Sequence, residues 1–177
     1  MVVIVVSGPP GSGKTTQAKM IAEKLGLRYH SAGSIFRAIA KERGMSLEEL
    51  SILAARDPSI DIEIDRKSYE EAIKGNVVLD GHLTAWIVKD VADIKILVTA
   101  PLKVRVKRIA LRDNKSVIEA LKETIVREYM QYKRFIEYYG IDPTDYRIFD
   151  IVVNTENLGP NETFRVIMEC IEKILKH

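Results

Sequence analysis

The sequence predicts an α/β fold with a mostly parallel sheet and helices on both faces, and three observations carry that prediction. An apolar run, Val2–Val6, is followed at once by the glycine-rich segment Gly8–Thr16. Helical apolar patterns then alternate with short apolar runs along the rest of the chain, the arrangement of crossovers between parallel strands. A further apolar run, Val77–Leu79, ends in Asp80-Gly81, which puts a carboxylate at the strand end where open α/β sheets bind ligands.

Each element has its own warrant. Val2–Val6 is continuously apolar, as a strand covered on both faces should be. Ala18, Ile21, Ala22 and Leu25 then recur at helical spacing until Gly26 stops the helix. Leu27–His30 reads as a short second strand. A helical pattern from Ser34 to Arg43 ends near Gly44, and Ser46 with Glu49 forms a capping box for the next helix, which Pro58 interrupts. Helical text resumes from Ile60 to Ile73, and Gly75-Asn76 turns the chain into the third strand, Val77–Leu79. Ile94–Val98 is the fourth strand, followed by Pro101 at the start of a basic helix. Ser116 and Glu119 make a second capping box, opening a long helix to Tyr139 that Gly140 ends. Ile151–Val153 is the fifth strand, and Phe164, Ile167, Met168, Ile171 and Leu175 mark one face of the last helix.

Length and composition exclude several classes. At 177 residues and 46% hydrophobic, the chain can bury one good core, so a single domain over residues 1–177 is expected. A net charge of +2 gives no argument for nucleic-acid or membrane binding. No apolar run approaches the ~20 residues of a membrane span, and Met1–Val6 lacks the basic start and the length of a signal peptide. A cytoplasmic protein is therefore expected. Cys170 is the sole cysteine, so no disulfide framework or cysteine zinc site is available, and its helical apolar setting marks it as a core residue. No extra exposed apolar helix stands out in the pattern, so a monomer is expected.

The segment Gly8-Pro9-Pro10-Gly11-Ser12-Gly13-Lys14-Thr15-Thr16 fits the phosphate-cradling pattern G-x-x-x-x-G-K-[ST]. Glycines at 8, 11 and 13 free the backbone to turn successive N–H groups onto phosphate. Lys14 adds a point charge, Thr15 a hydroxyl for Mg²⁺, and the following helix points its positive end at the anion. Asp80 is the second ligand-side residue, holding Mg²⁺ through its hydration shell. Arginines supply the remaining charge. Arg108 and Arg112 are four apart and share a helix face, as do Arg127 and Arg134 at seven apart, while Arg37 follows Ser31-Ala32-Gly33. Phosphoryl transfer needs cations of this kind around the migrating group.

With these residues in view, the chain resembles the nucleoside monophosphate kinases, most closely the archaeal-type cytidylate kinases, over nearly its whole length. The resemblance rests on Gly8–Thr16, on Ser31-Ala32-Gly33-Ser34-Ile35-Phe36-Arg37, on Val78-Leu79-Asp80-Gly81-His82, on the two later arginine pairs and on Asp150–Thr155. It implies a P-loop fold with a five-stranded sheet in the order 2-3-1-4-5, a monophosphate-binding excursion over residues 31–76 and a short lid over 113–116. It implies ATP and CMP or dCMP as substrates, with AMP or UMP as the alternative acceptors. Arg37 would grip the acceptor phosphate, and Arg108, Arg112, Arg127 and Arg134 would close over the triphosphate and the transferring group.

Departures from related patterns leave the base-reading groups open. Bacterial cytidylate kinases carry Asp-Gly-Arg-Asp where this chain has Asp80-Gly81-His82-Leu83, and an aspartate where it has Gln131. Reading the cytosine amine requires an acceptor, for which Asp61, Asp65, Thr84 and backbone carbonyls are candidates. His82 is equally consistent with a substrate contact and a local structural hydrogen bond, and Trp86 with a base-stacking or a core aromatic. An ATP-dependent switch is the reading from another class, but its switch loops and water-positioning group are not identifiable in the sequence. A metabolite kinase of the shikimate type would require a carboxylate beside its acceptor hydroxyl, whereas an acceptor phosphate is already anionic.

Overall fold

A computed structural model describes residues 1–176. Its five strands are β1 Val3–Ser7, β2 Arg28–Ser31, β3 Val77–Asp80, β4 Ile94–Thr99 and β5 Ile151–Asn154. All pairings are parallel, in the order β2-β3-β1-β4-β5. The helices are α1 Lys14–Leu25, α2 Ala32–Glu42, α3 Leu47–Ala54, α4 Ser59–Ile73, α5 Thr84–Ile87, α6 Leu102–Asp113, α7 Val117–Tyr139 and α8 Pro160–Ile174.

The central strand explains the apolar run at the start of the chain. All of β1 is buried, and because side chains alternate across a strand its two faces feed two cores. Ile4 and Val6 join Ala18, Ile21, Ile96, Val98, Ile167 and Ile171 beneath α1 and α8. Val3 and Val5 join Ala72, Val77, Leu79 and Ala85 on the other face. Register then aligns the functional end: Val6 lies opposite Asp80, and Ser31 opposite Asp80 on the far side.

Between β2 and β3 the helices α2, α3 and α4 leave the sheet and close on a small core of Ala40, Leu50, Ala54, Ile60 and Ile64. Both expected capping boxes are formed, Ser46 with Glu49 and Ser116 with Glu119. Gly26 and Gly140 take left-handed conformations at the ends of α1 and α7, which lets each helix stop within one residue.

Several boundaries differ from the sequence expectation for local reasons. The second strand begins one residue later, because Leu27 N–H still donates to the Ala22 carbonyl of α1. Helix α2 begins two residues earlier, because Ser31 Oγ accepts from Ser34 N–H and caps it. The one-turn α5 and the 3-10 turn Tyr146–Ile148 are too short to show a periodicity. Cys170 packs partly buried against the main core, and Trp86 stacks edge-on against Phe149 at 5.1 Å; both fill the core or its rim. Helix α7 exposes Ile118, Leu121, Ile125, Tyr129, Tyr132 and Ile136, so the premise behind the expected monomer does not hold. Among the described residues no helix is long and apolar enough to cross a membrane.

Candidate active site

The segment 8–13 joins β1 to α1 and passes under the C-terminal ends of the strands. Two of its glycines have no substitute. Gly8 takes φ +150° with its Cα turned at β4, where an added Cβ would lie 2.0 Å from the Val98 carbonyl oxygen. Gly11, at φ +77°, would bring a Cβ to 2.7 Å from the Arg105 carbonyl oxygen. Close packing against β4 and α6 thus forces the loop to wrap inward, and α1 starts at Lys14 with no acidic residue in its first turn. The helix end is left free for an anion.

A cleft of about 850 Å³ opens above this loop. Pro10, Gly11, Ser12, Gly13, Lys14, Thr15 and Thr16 line it, as do Arg37, Arg108, Arg112 and Arg127. Gly8 and Pro9 lie behind the lining and shape the loop; the Pro9 carbonyl accepts from Ser12 N–H at 3.3 Å. Burial pushes the Lys14 ammonium below its ordinary value, opposed by Asp80 and reinforced by Arg127, Arg37 and Arg112. Burial also lowers Arg127, whose Nε is buried without a partner and whose ion pair to Glu123 is 3.5 Å long. A crowd of like-charged cations in one cleft marks a site suited to anionic ligands.

The remaining arginines divide by what they hold. Arg37 donates to Ser34 Oγ at 2.9 Å. Arg112 stands at the turn between α6 and α7 and makes two hydrogen bonds to Asp113, at 2.6 and 2.7 Å. Arg108 spends its guanidinium on Thr155, donating to its Oγ1 and carbonyl at 2.8 Å each, and reaches the Ser12 carbonyl at 3.3 Å. It therefore clasps the loop from outside while lining the cleft.

Arg134 departs from the sequence expectation. It is 2% exposed, donates through Nε to Asp61 at 2.5 Å and through Nη1 to the Ser51 carbonyl at 3.1 Å, and does not line the cleft. It ties α7 to α3 and α4. The same contact engages Asp61, one of the candidates for base reading, Tyr139 engages Asp65 by donating its hydroxyl to that carboxylate, and neither aspartate lines the cleft. Burial pushes Asp65 up to about 6. Thr84 is buried at the start of α5, also outside the lining. Sequence reasoning missed the function of Arg105, which ion-pairs with Glu128 and donates to the Pro10 carbonyl at 3.1 Å, fixing the loop from α6. The one available signal was its partner Glu128, 23 residues away.

Asp80 and His82 remain at the end of β3. Three hydroxyls converge on Asp80 Oδ2: Thr15 Oγ1 at 2.7 Å, Tyr29 at 2.9 Å and Ser31 Oγ at 3.3 Å. Burial and that carboxylate push Tyr29 up to about 12. Oδ1 is buried with no partner, an oxygen still able to accept hydrogen bonds from a hydrated cation. His82 lines the cleft with its Nδ1 3.0 Å from Gln131 Oε1. Burial holds it well below its ordinary value, down to about 4, against the pull of that hydrogen bond.

The cleft thus sets cations on two sides, from the loop and from α2 and α7, an arrangement found in P-loop kinases. A family model described as an AAA domain matches residues 7–133. A cytidylate kinase of Staphylothermus marinus is 69% identical over 176 residues, covering 99% of each chain. One of Desulfurococcus amylolyticus is 58% identical over 99% of this chain and 96% of its own length, and one of Pyrococcus horikoshii is 46% identical over 97% and 89%. A shikimate kinase structure from Bacteroides thetaiotaomicron shares the fold, with a TM-score of 0.64 at 17% identity over 97% of this chain and 98% of that one. The chain belongs to the cytidylate kinase family.

Proposed function

We propose that the protein transfers the γ-phosphoryl group of ATP to the 5′-phosphate of CMP, and of dCMP, giving CDP or dCDP and ADP. The observation that carries this reading is the pair of cation groups sharing one cleft. Lys14 and the loop amides form one, Arg37 and Arg127 the other. Full-length likeness to cytidylate kinases supports the choice of acceptor.

The residues present suit a direct in-line transfer. An oxygen of the acceptor phosphate attacks the γ-phosphorus, the bond from that phosphorus to the β–γ bridging oxygen breaks, and ADP leaves with the electron pair. The acceptor oxygen is already anionic at neutral pH, so no base is needed. That agrees with Asp113, a carboxylate of the cleft lining, being tied up by Arg112. Loop N–H groups and Lys14 hold the donor phosphates, while Arg37 and Arg127 hold the acceptor and offset charge spreading onto the moving group. Thr15 and Asp80 Oδ1 would hold Mg²⁺, which neutralises charge on the donor phosphates when bound. Residues 31–76 serve as the acceptor-binding excursion and 113–116 as a lid that carries Arg112 inward and excludes water.

Incubation of the protein with Mg·ATP and each nucleoside monophosphate tests the reading. ADP release should depend on CMP. Equal release with AMP or UMP would overturn the acceptor, and release without any acceptor would overturn the kinase reading. Lys14→Met and Arg37→Ala should each cut kcat/KM by about 100-fold or more with an unchanged circular dichroism spectrum. Full CMP turnover in Arg37→Ala would place the acceptor phosphate elsewhere.

A further inference from the structure

With Asp61 and Asp65 engaged between α4 and α7, and Thr84 outside the lining, His82 and Gln131 are uncharged polar side chains of the cleft lining, which Phe36 and Leu47 also share. The two are joined through His82 Nδ1 and Gln131 Oε1 at 3.0 Å, and the imidazole packs edge-on against Phe135 with ring centroids 5.2 Å apart. An amide oxygen can only accept, so Nδ1 carries the hydrogen and the Nε2 lone pair is left free. Gln131 Nε2 keeps two hydrogens to offer. The pair therefore presents an acceptor and a donor together on one wall of the cleft.

That pattern complements one class of base. Cytosine offers an amine hydrogen at N4 beside the acceptor N3, whereas uracil offers the acceptor O4 beside the donor N3–H. We propose that His82 and Gln131 read the amino edge of the acceptor pyrimidine, His82 Nε2 accepting from N4 and Gln131 Nε2 donating to N3. Uracil would place acceptor against donor-poor imidazole and donor against donor, leaving both protein groups unpaired in a closed site. The assignment rests on the proposed kinase reading. Adenine carries the same amine-and-nitrogen edge, so this pair separates cytosine from uracil and does not separate pyrimidines from purines.

Three acceptor measurements and one donor measurement separate the outcomes: kcat/KM for CMP, for UMP and for pyrimidin-2-one riboside 5′-monophosphate, which has hydrogen in place of the 4-amino group, and KM for ATP. In the wild type, CMP should exceed both of the others by about tenfold or more. His82→Ala and Gln131→Leu should each collapse the CMP-to-UMP ratio by about tenfold, lose the distinction between CMP and its analogue without the 4-amino group, and keep the ATP KM. A merely structural role would slow all acceptors equally, and that result overturns the assignment. Long-range proton–nitrogen NMR of the wild type needs no variant to fold: His82 should show Nδ1 protonated, and its Nε2 signal should shift with CMP and not with UMP. A protonated Nε2 in the free protein overturns it as well. A wild type that does not use CMP sinks the kinase reading instead, whereas a CMP-selective wild type with CMP-selective variants sinks this assignment alone.

Discussion

Removing Arg134 should unfold part of the molecule before it touches the chemistry. The guanidinium is 2% exposed and the Asp61 side chain 13%, with Nε and Oδ2 2.5 Å apart and Nη1 on the Ser51 carbonyl. Arg134→Met keeps most of the volume but strands a carboxylate that burial already pushes up and that only this guanidinium pulls down. Breaking a buried pair from one side costs about 3–5 kcal/mol, a large part of the 5–15 kcal/mol typical of a whole domain. Replacing both partners removes the stranded charge, so Arg134→Met with Asp61→Leu should recover most of that loss. Urea unfolding of the wild type, both single variants and the double variant closes the cycle, with a coupling of about 3 kcal/mol expected. Turnover of the single variant, read well below its melting temperature, should stay within about tenfold of wild type. A single variant as stable as wild type but about 100-fold slower would refute this reasoning and return Arg134 to the transferring phosphoryl group.

Two further outcomes follow from the loop and from α4. Gly8→Ala drives a Cβ to 2.0 Å from the Val98 carbonyl oxygen, so the loop must shift and affinity for a fluorescent ATP analogue should fall by about 100-fold or more; unchanged affinity would show that the loop does not need this approach. Burial holds Asp65 at about 6 in the folded chain against an ordinary value of 3.8, so the folded chain holds more protons between those pH values. Stability from this group is therefore present at low pH and lost as pH rises from 4 through 6, by about 3 kcal/mol. Asp65→Asn should gain on wild type over that range in urea unfolding at pH 4, 5 and 7, and parallel curves for the two proteins would contradict it.

What was legible in the sequence was local. The continuous apolar run of β1, the glycines of the loop and the two Ser/Glu capping boxes each act within a few residues, and the structure forms all of them. Arg134 was misplaced because a shared helical face fixes direction but not depth along the helix. At 1.5 Å per residue, seven residues carry it about 10 Å from Arg127, far enough to pass from the cleft to the contact with α3 and α4. The engagement of Asp61 and Asp65 was hidden for a related reason: their partners Arg134 and Tyr139 lie more than 70 residues away, and nothing in the text of α4 announces them. Tyr29 was read as a strand residue and Ser31 as the start of the segment leading to Arg37, and their grip on Asp80 came from register with β3.

The arginines can now be sorted by a criterion that spacing alone lacks, namely how completely the protein itself satisfies each guanidinium. Arg105 and Arg134 are buried and engaged with carboxylates and carbonyls, and Arg108 is engaged with Thr155 and the loop. Those three hold the loop and the helices, and a ligand could recruit them only by breaking bonds that the fold depends on. Arg37 and Arg112 hold only neighbours in their own helices, and Arg127 has a long ion pair and an orphaned Nε. A buried donor without a partner costs free energy that an incoming phosphate returns. Arg37, Arg112 and Arg127 line the same cleft as Lys14, and sorting by engagement predicts that they serve the transferred phosphate.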